Sequence, residues 1–209
     1  MKKFKTEQEQ FWADSFGNDY IERNKSERLL ASNIYFFSKA LKQAGKLNSC
    51  LEFGANIGMN LKAIKMLFPE IQLKGIEINL EASLILAAWL GQENVFNGSI
   101  LDYEVPDKVE LSLIKGVLIH IHPDMLPQVY NKLYASSTKY ILVAEYYNPS
   151  PVSIAYRGHQ DKLYKRDFAG EMLDTFSDLK LVDYGFSYRR DPAFPQDDVT
   201  WFLMEKNKV

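Results

Sequence analysis

Glu52-Phe53-Gly54-Ala55-Asn56-Ile57-Gly58 ends a short apolar run that begins near Ser49, and Gly75-Ile76-Glu77-Ile78-Asn79 ends the next one. An apolar run, a glycine turn and a following helical pattern read together as strand, turn and helix. Gly54 and Gly58 let the backbone turn sharply and approach a ligand closely, because glycine has no Cβ. The helix after the turn aims its free N–H groups back at it. Glu77, at the end of the second strand and roughly 20 residues downstream, stands where a carboxylate accepts hydrogen bonds from ribose hydroxyls. A glycine turn alone is a common joint in α/β proteins; the added carboxylate makes the pair a nucleoside-cofactor signature.

The dinucleotide fingerprint needs glycines at its first, third and sixth positions. Here the third is Asn56 and the sixth is Met59, so NAD fits poorly. Asn56 retains a tolerance for positive φ that most residues lack. Working outward, short apolar runs alternate with helical patterns, which predicts βαβ units. Strands are expected at Ser49–Phe53, Gln72–Glu77, Val95–Asn97, Glu110–Ile114, Tyr140–Ala144, Lys180–Tyr184 and Thr200–Leu203. Helices are expected at Met59–Leu67, Leu80–Leu90, Pro123–Tyr134 and from about Asp167. Nothing helical separates the last two strands, which predicts an antiparallel pair. The fold class is therefore α/β, a doubly wound, mostly parallel seven-stranded sheet with an antiparallel C-terminal hairpin. Upstream, Asn24 with Glu27 suggests a capped helix carrying Leu30, Ile34, Phe37 and Leu41 and stopped by Gly45. Residues 1–46 are read as an N-terminal helical cover and 47–209 as the cofactor-binding α/β domain, in one structural unit. The aromatics Trp12, Phe16 and Tyr20 are open to two readings, a lid or ordinary packing at the domain edge, with packing preferred for Trp12 and Phe16.

A chain of 209 residues suits one α/β domain. Its 25 basic and 27 acidic residues leave a net charge of −2, which gives no global attraction to nucleic acid or anionic membranes. The single cysteine, Cys50, falls in an apolar strand and reads as a buried thiol. The basic N-terminus runs into polar residues, unlike a signal peptide, and no stretch is apolar enough to span a bilayer. A cytoplasmic protein is expected. His and carboxylate spacing offers no metal cluster.

In an open parallel sheet, ligands bind beyond the carboxyl ends of the strands at the topological switch point. Four further segments end there. Asn97-Gly98-Ser99-Ile100 follows the third strand and is either a turn or part of a base-binding wall. Lys115-Gly116-Val117-Leu118-Ile119-His120-Ile121-His122 follows the fourth; His120 suits a base or positioning group, while His122, before Pro123, reads as a helix entrance. Glu145 ends the fifth strand and is either a base, a hydroxyl ligand or an anchor for the next loop. That loop runs to Arg166 and carries Tyr147, Arg157 and His159. Arg157 presents a planar fork to a carboxylate or phosphate, and His159 titrates near neutrality. These three are the expected substrate contacts, with His159 also a catalytic candidate.

Acidic-x-Gly-x-x-x-Gly at Glu52 to Gly58 resembles the first motif of class I S-adenosylmethionine-dependent methyltransferases. More specifically, the chain resembles the pseudaminic acid biosynthesis-associated methylase family along nearly its whole length. The resemblance is carried by Phe11-Trp12 with Tyr20 to Asn24, Glu52 to Asn60, Lys115 to Ile121, Ala144 to Pro151 with Tyr156-Arg157-Gly158-His159, and Pro195-Gln196-Asp197-Asp198. It implies S-adenosylmethionine as cofactor. Its contacts would be Glu52, Gly54, Asn56, Gly58, Asn60, Glu77, Ile78, Ser99, Ile100 and Lys115, with Tyr20 and Arg23 closing over the methionine carboxylate. Such enzymes commonly have an acidic residue near the position of Ser99, so adenine recognition here falls to Ser99, Asn97 or the backbone. The implied acceptor is a small sugar or nucleotide sugar of a nonulosonic-acid pathway. A non-catalytic cofactor-binding scaffold of the same pathway is the alternative. A nucleic-acid methyltransferase is disfavoured by the acidic balance and by the absence of an Asn-Pro-Pro-aromatic run after the fourth strand.

Overall fold

A computed structural model describes residues 4–14, 17, 21, 25–156 and 159–207, with backbone only at 155–156 and 159–162. Two helices precede the sheet. α1 (Glu7–Ala13) begins with a capping box in which Thr6 and Glu9 exchange hydrogen bonds with each other's backbone. α2 (Glu27–Ala40) is capped by Ser26, whose hydroxyl accepts from the Leu29 N–H, and Glu27 is its first residue. The expected Asn24 cap is thus replaced by Ser26. A serine one residue before the helix reaches the third N–H, and Glu27 then meets the positive end of the helix dipole. Asn24 itself lies outside the described residues.

From Ser49 the strands and helices alternate: β1 (Ser49–Phe53), α3 (Met59–Leu67), β2 (Gln72–Glu77), α4 (Leu80–Leu90), β3 (Val95–Asn97), β4 (Val109–Lys115), α5 (Leu126–Ser136) and β5 (Ser137–Glu145). Next come β6 (Val152–Tyr156), β7 (His159–Lys165), α6 (Phe168–Thr175), β8 (Leu179–Ser187) and β9 (Val199–Lys206). Among the described residues the main sheet has seven strands in the order β3-β2-β1-β4-β5-β9-β8. Strands β3 to β5 pair in parallel, and β9 runs antiparallel between β5 and β8. This is the expected doubly wound sheet with its C-terminal hairpin. The chain leaves β1 toward β2 and β3 and returns on the other side through β4 and β5, which opens a crevice at the ends of β1 and β4.

Residues on one face of the sheet, including Leu111, Leu113, Leu142 and Leu203, pack with Phe36, Phe37 and Ala40 of α2 and Leu61 and Ile64 of α3. The opposite face, with Ile114, Ile141, Val143 and Met204, packs with Val129 and Leu133 of α5 and Phe168 and Met172 of α6. Burial on both faces explains why the central strands read as continuous apolar runs.

Two elements differ from the sequence expectation. The helix expected from Pro123 divides into a 3₁₀ turn (Pro123–Met125), capped by the His122 ring, and α5 proper. The segment from Glu145 to Arg166, expected as a long loop, contains an antiparallel hairpin, β6 with β7. Prolines 149 and 151 conceal it by punctuating its entry. Its fixed point is tertiary: Leu163 is buried in the second core, and the Tyr164 ring meets His122 edge-on at 6.3 Å.

Leu113, Leu142 and Leu203 lie side by side across β4, β5 and β9, all fully buried. Leu142→Ala is expected to lower unfolding free energy by about 2–5 kcal/mol in urea titration, because the flanking strands prevent collapse of the cavity.

Candidate functional site

The turn after β1 is held in a left-handed conformation, with φ of +78° at Gly54, +48° at Asn56 and +83° at Gly58. The N–H groups of Gly54 and Ala55 both donate to the Ile76 carbonyl at 2.9 Å, which pins the turn to β2. The glycines answer to packing as well as to dihedral angle. A Cβ on Gly54 would lie 2.5 Å from a Val117 methyl, and one on Gly58 would lie 2.5 Å from both Leu86 and Trp89. Gly58 is thus required by the contact between the turn and α4, away from any ligand.

Glu77 joins the two halves of the site. One carboxylate oxygen accepts from the Asn56 N–H at 2.7 Å, and the other from the Asn79 N–H at 2.8 Å. Burial raises its pKa, and the N–H groups of Asn79, Asn56 and Ile78 oppose that rise. Each oxygen keeps acceptor capacity toward the cavity it lines.

Glu52 is fully buried behind Asn60, whose amide donates to it at 2.6 Å. Its second oxygen has no protein partner among the described residues. Burial pushes its pKa up to about 8, against the lowering effects of the Asn60 amide and the Lys115 charge. Lys115, at the end of β4, faces the cavity with its Nζ 5.4 Å from the Phe36 ring centre. Its pKa is lowered by burial and partly restored by Glu52, Asp197 and Glu145. Glu145 is buried as well, and one oxygen accepts from the Val117 and Leu118 N–H groups, both at 2.9 Å. Burial raises it to about 7 despite those bonds.

The cavity occupies about 330 Å³ at the switch point, in the range of small-molecule sites. Of the residues expected at a cofactor site, Gly54, Asn56, Asn60, Glu77 and Ile78 line it on one side of the crevice, and Ser99, Ile100 and Lys115 complete the wall. Glu52 and Gly58 support the wall from behind. His120 is buried, lines the cavity and packs its ring 4.7 Å from that of Trp12. Glu145 does not reach the cavity; it holds the turn that carries His120. Tyr147 is exposed on the outer side, 5.9 Å from the Phe202 ring. Tyr20, Arg23 and Arg157 lie outside the described residues, as does the side chain of His159. Among the described residues no cluster of three or more His, Cys, Asp or Glu is placed to hold a metal ion, and no helix is long and apolar enough to cross a membrane.

Among the cavity residues that the sequence reading did not assign to the site are Glu9, Trp12 and Asn79. Asn79 caps α4 through its carbonyl oxygen, while its amide lies 3.4 Å from the Trp12 and Ala13 carbonyls. Trp12, expected at the domain edge, instead forms part of the cavity roof. The Thr6-x-x-Glu9 capping box was a legible signal for α1, but nothing in the sequence places that helix over the crevice.

No family model and no curated protein matches this chain in sequence. Solved structures match it in fold. A mitomycin 7-O-methyltransferase aligns with 97% of this chain at a TM-score of 0.68 and 13% identity, and the chain spans 61% of that protein's length. The 1,6-didemethyltoxoflavin-N1-methyltransferase of Burkholderia thailandensis, solved with S-adenosylhomocysteine, aligns with 96% of this chain and 87% of its own, with TM-score 0.69 and 14% identity. Magnesium protoporphyrin IX methyltransferase of Synechocystis PCC 6803, solved with S-adenosylmethionine, covers 99% and 100% at TM-score 0.67 and 10% identity. The fold is that of the class I methyltransferases.

A native carboxyl that holds its proton up to about pH 8 binds more protons folded than unfolded, where the usual value is 4.5. Stability therefore falls as pH rises through that window. Glu52→Gln should become progressively more stable than the unsubstituted protein between about pH 5 and pH 8, with a constant difference outside it. Urea titrations across that range check it; a difference that does not change with pH would refute the assignment.

Proposed function

We propose that this protein is an S-adenosylmethionine-dependent methyltransferase. The observation that carries the reading is the cavity at the switch point, framed by the left-handed Gly54–Gly58 turn and the Glu77 carboxylate at the end of β2. Similar folds solved with S-adenosylmethionine or S-adenosylhomocysteine support it. The fit is chemical as well as spatial. Glu77 retains lone pairs for ribose hydroxyls, and Asn60 and Lys115 offer donors to a methionine carboxylate. Ile78 and Ile100 provide apolar surface for a base. When bound, the cofactor supplies an electrophilic methyl group on a sulfonium. The chain's own part is to orient the acceptor toward it and exclude water, with His120, on the turn held by Glu145, as the positioning or proton-accepting group.

We further propose a small anionic, sugar-derived acceptor of a nonulosonic-acid or nucleotide-sugar kind, handled in the cytoplasm, without nucleic acid or membrane as partner. The end-to-end resemblance to the pseudaminic acid-associated methylases supports this. Arg157 and His159 are kept as proposed acceptor contacts, and Tyr20 and Arg23 as proposed cofactor contacts; Tyr147, which does not line the cavity, is not. Residues 1–46 are proposed to act as the cover of the site.

Isothermal titration of the purified protein with S-adenosylhomocysteine is expected to show saturable, one-to-one binding. Ile78→Arg, which fills the crevice from a partly exposed position, should weaken that binding by about tenfold or more without unfolding the protein. Absence of binding to the unsubstituted protein would refute the proposal. For the acceptor, incubation with S-adenosylmethionine and nonulosonic acids or their nucleotide-linked forms should yield a product heavier by one CH₂, and no such product from any of them would refute the acceptor class.

A further inference from the structure

At the end of the cavity beyond Glu77, α1 contributes a buried carboxylate, Glu9, to a wall otherwise built from the segment after β3. Its two oxygens have different surroundings. Oε2 is committed to the protein: it accepts from the Lys5 N–H at 2.6 Å and the Thr6 N–H at 2.8 Å, completing the capping box. Oε1 receives a short hydrogen bond from the Ser99 hydroxyl. That bond uses the only hydrogen Ser99 has, and the same hydroxyl oxygen accepts from the Leu101 N–H at 2.9 Å. Ser99 therefore has nothing to donate to a ligand. The hydroxyl fixes the Glu9 carboxylate, whose Oε1 retains acceptor capacity in a cavity that Ile78, Ile100 and Met125 also line.

An apolar slot with a fixed carboxylate oxygen at its edge selects a flat ring bearing an N–H donor. It disfavours the same ring bearing a carbonyl there, because two acceptors would then face each other in a desolvated place. We propose that Glu9 is the specificity determinant for the nucleobase of the cofactor, accepting a hydrogen bond from the exocyclic amine of adenine. The carboxylate reaches the slot from the N-terminal helix, and Ser99 positions it. The inference rests on the cofactor reading above.

The consequence is a selectivity that calorimetry reads directly. S-adenosylhomocysteine should bind roughly 10- to 100-fold more tightly than its inosyl counterpart, which has a carbonyl in place of the amine, and than its counterpart with hydrogen at that carbon. In Glu9→Gln the preference over the inosyl compound should fall to about threefold or less, since a glutamine amide can turn either its oxygen or its N–H₂ toward the base. Glutamine also serves at this position of a capping box, so α1 is expected to persist, as circular dichroism and a thermal melt would show. Equal affinities of the unsubstituted protein for the three compounds would overturn the proposal without need of any variant. An unchanged preference in folded Glu9→Gln would overturn it too. Both results leave the cofactor reading standing, whereas no binding of any of the three compounds removes that reading and this one together.

Discussion

The site depends on a single carboxylate bridge. Glu77 ends β2, and its two oxygens take the N–H of Asn56, in the turn after β1, and the N–H of Asn79, at the entrance to α4. Two separate chain reversals are thereby held in one geometry. The left-handed backbone of the first, at Gly54, Asn56 and Gly58, is maintained by this bridge, by the Ile76 carbonyl and by the close approach of Val117, Leu86 and Trp89. Each restraint alone is worth little more than a kilocalorie, on the order of one ordinary hydrogen bond. Their convergence fixes the left-handed turn, which glycine and asparagine tolerate, at the mouth of the crevice.

Around that bridge the protein buries ionisable groups away from water. Glu52, Glu77 and Glu145 are all raised by burial, and Lys115 is lowered by it. The three carboxylates have distinct duties. Glu77 organises the crevice, Glu145 holds the Val117–Ile119 backbone that carries His120 into place, and Glu52 fixes Asn60 on the wall. Such groups are costly to bury and cluster where a site needs rigid, preorganised polarity.

The N-terminal segment closes the arrangement through polar contacts. Lys5 pairs with Asp102 at 2.6 Å, Glu9 meets Ser99, and the Asn79 amide faces the carbonyls at the end of α1. Apolar contact adds Trp12 over His120. These contacts tie α1 to the ends of β2, β3 and β4 and add Glu9 and Trp12 to the wall of the switch-point cavity.

The sequence alone determined the sheet and its most local consequence. Alternating apolar runs and helical periods impose βαβ units, a glycine turn followed by an acidic strand end marks the crevice, and the patternless stretch from Ser187 to Val199 implies the antiparallel hairpin. Such features are legible because they depend on neighbours a few residues apart. Only the tertiary structure decided what each polar group does. Glu145 reads in the sequence as a base, a hydroxyl ligand or an anchor, and one of its oxygens is taken by backbone amides; Tyr147 sits beside the right strand, yet does not line the cavity. Glu9 carries no mark beyond a helix cap and acquires its place at the cavity because α1 folds back across the sheet. The β6–β7 hairpin depends in the same way on Leu163 finding the core. A side chain's direction and its distant partners are set by packing between elements, which periodicity and local propensity do not encode.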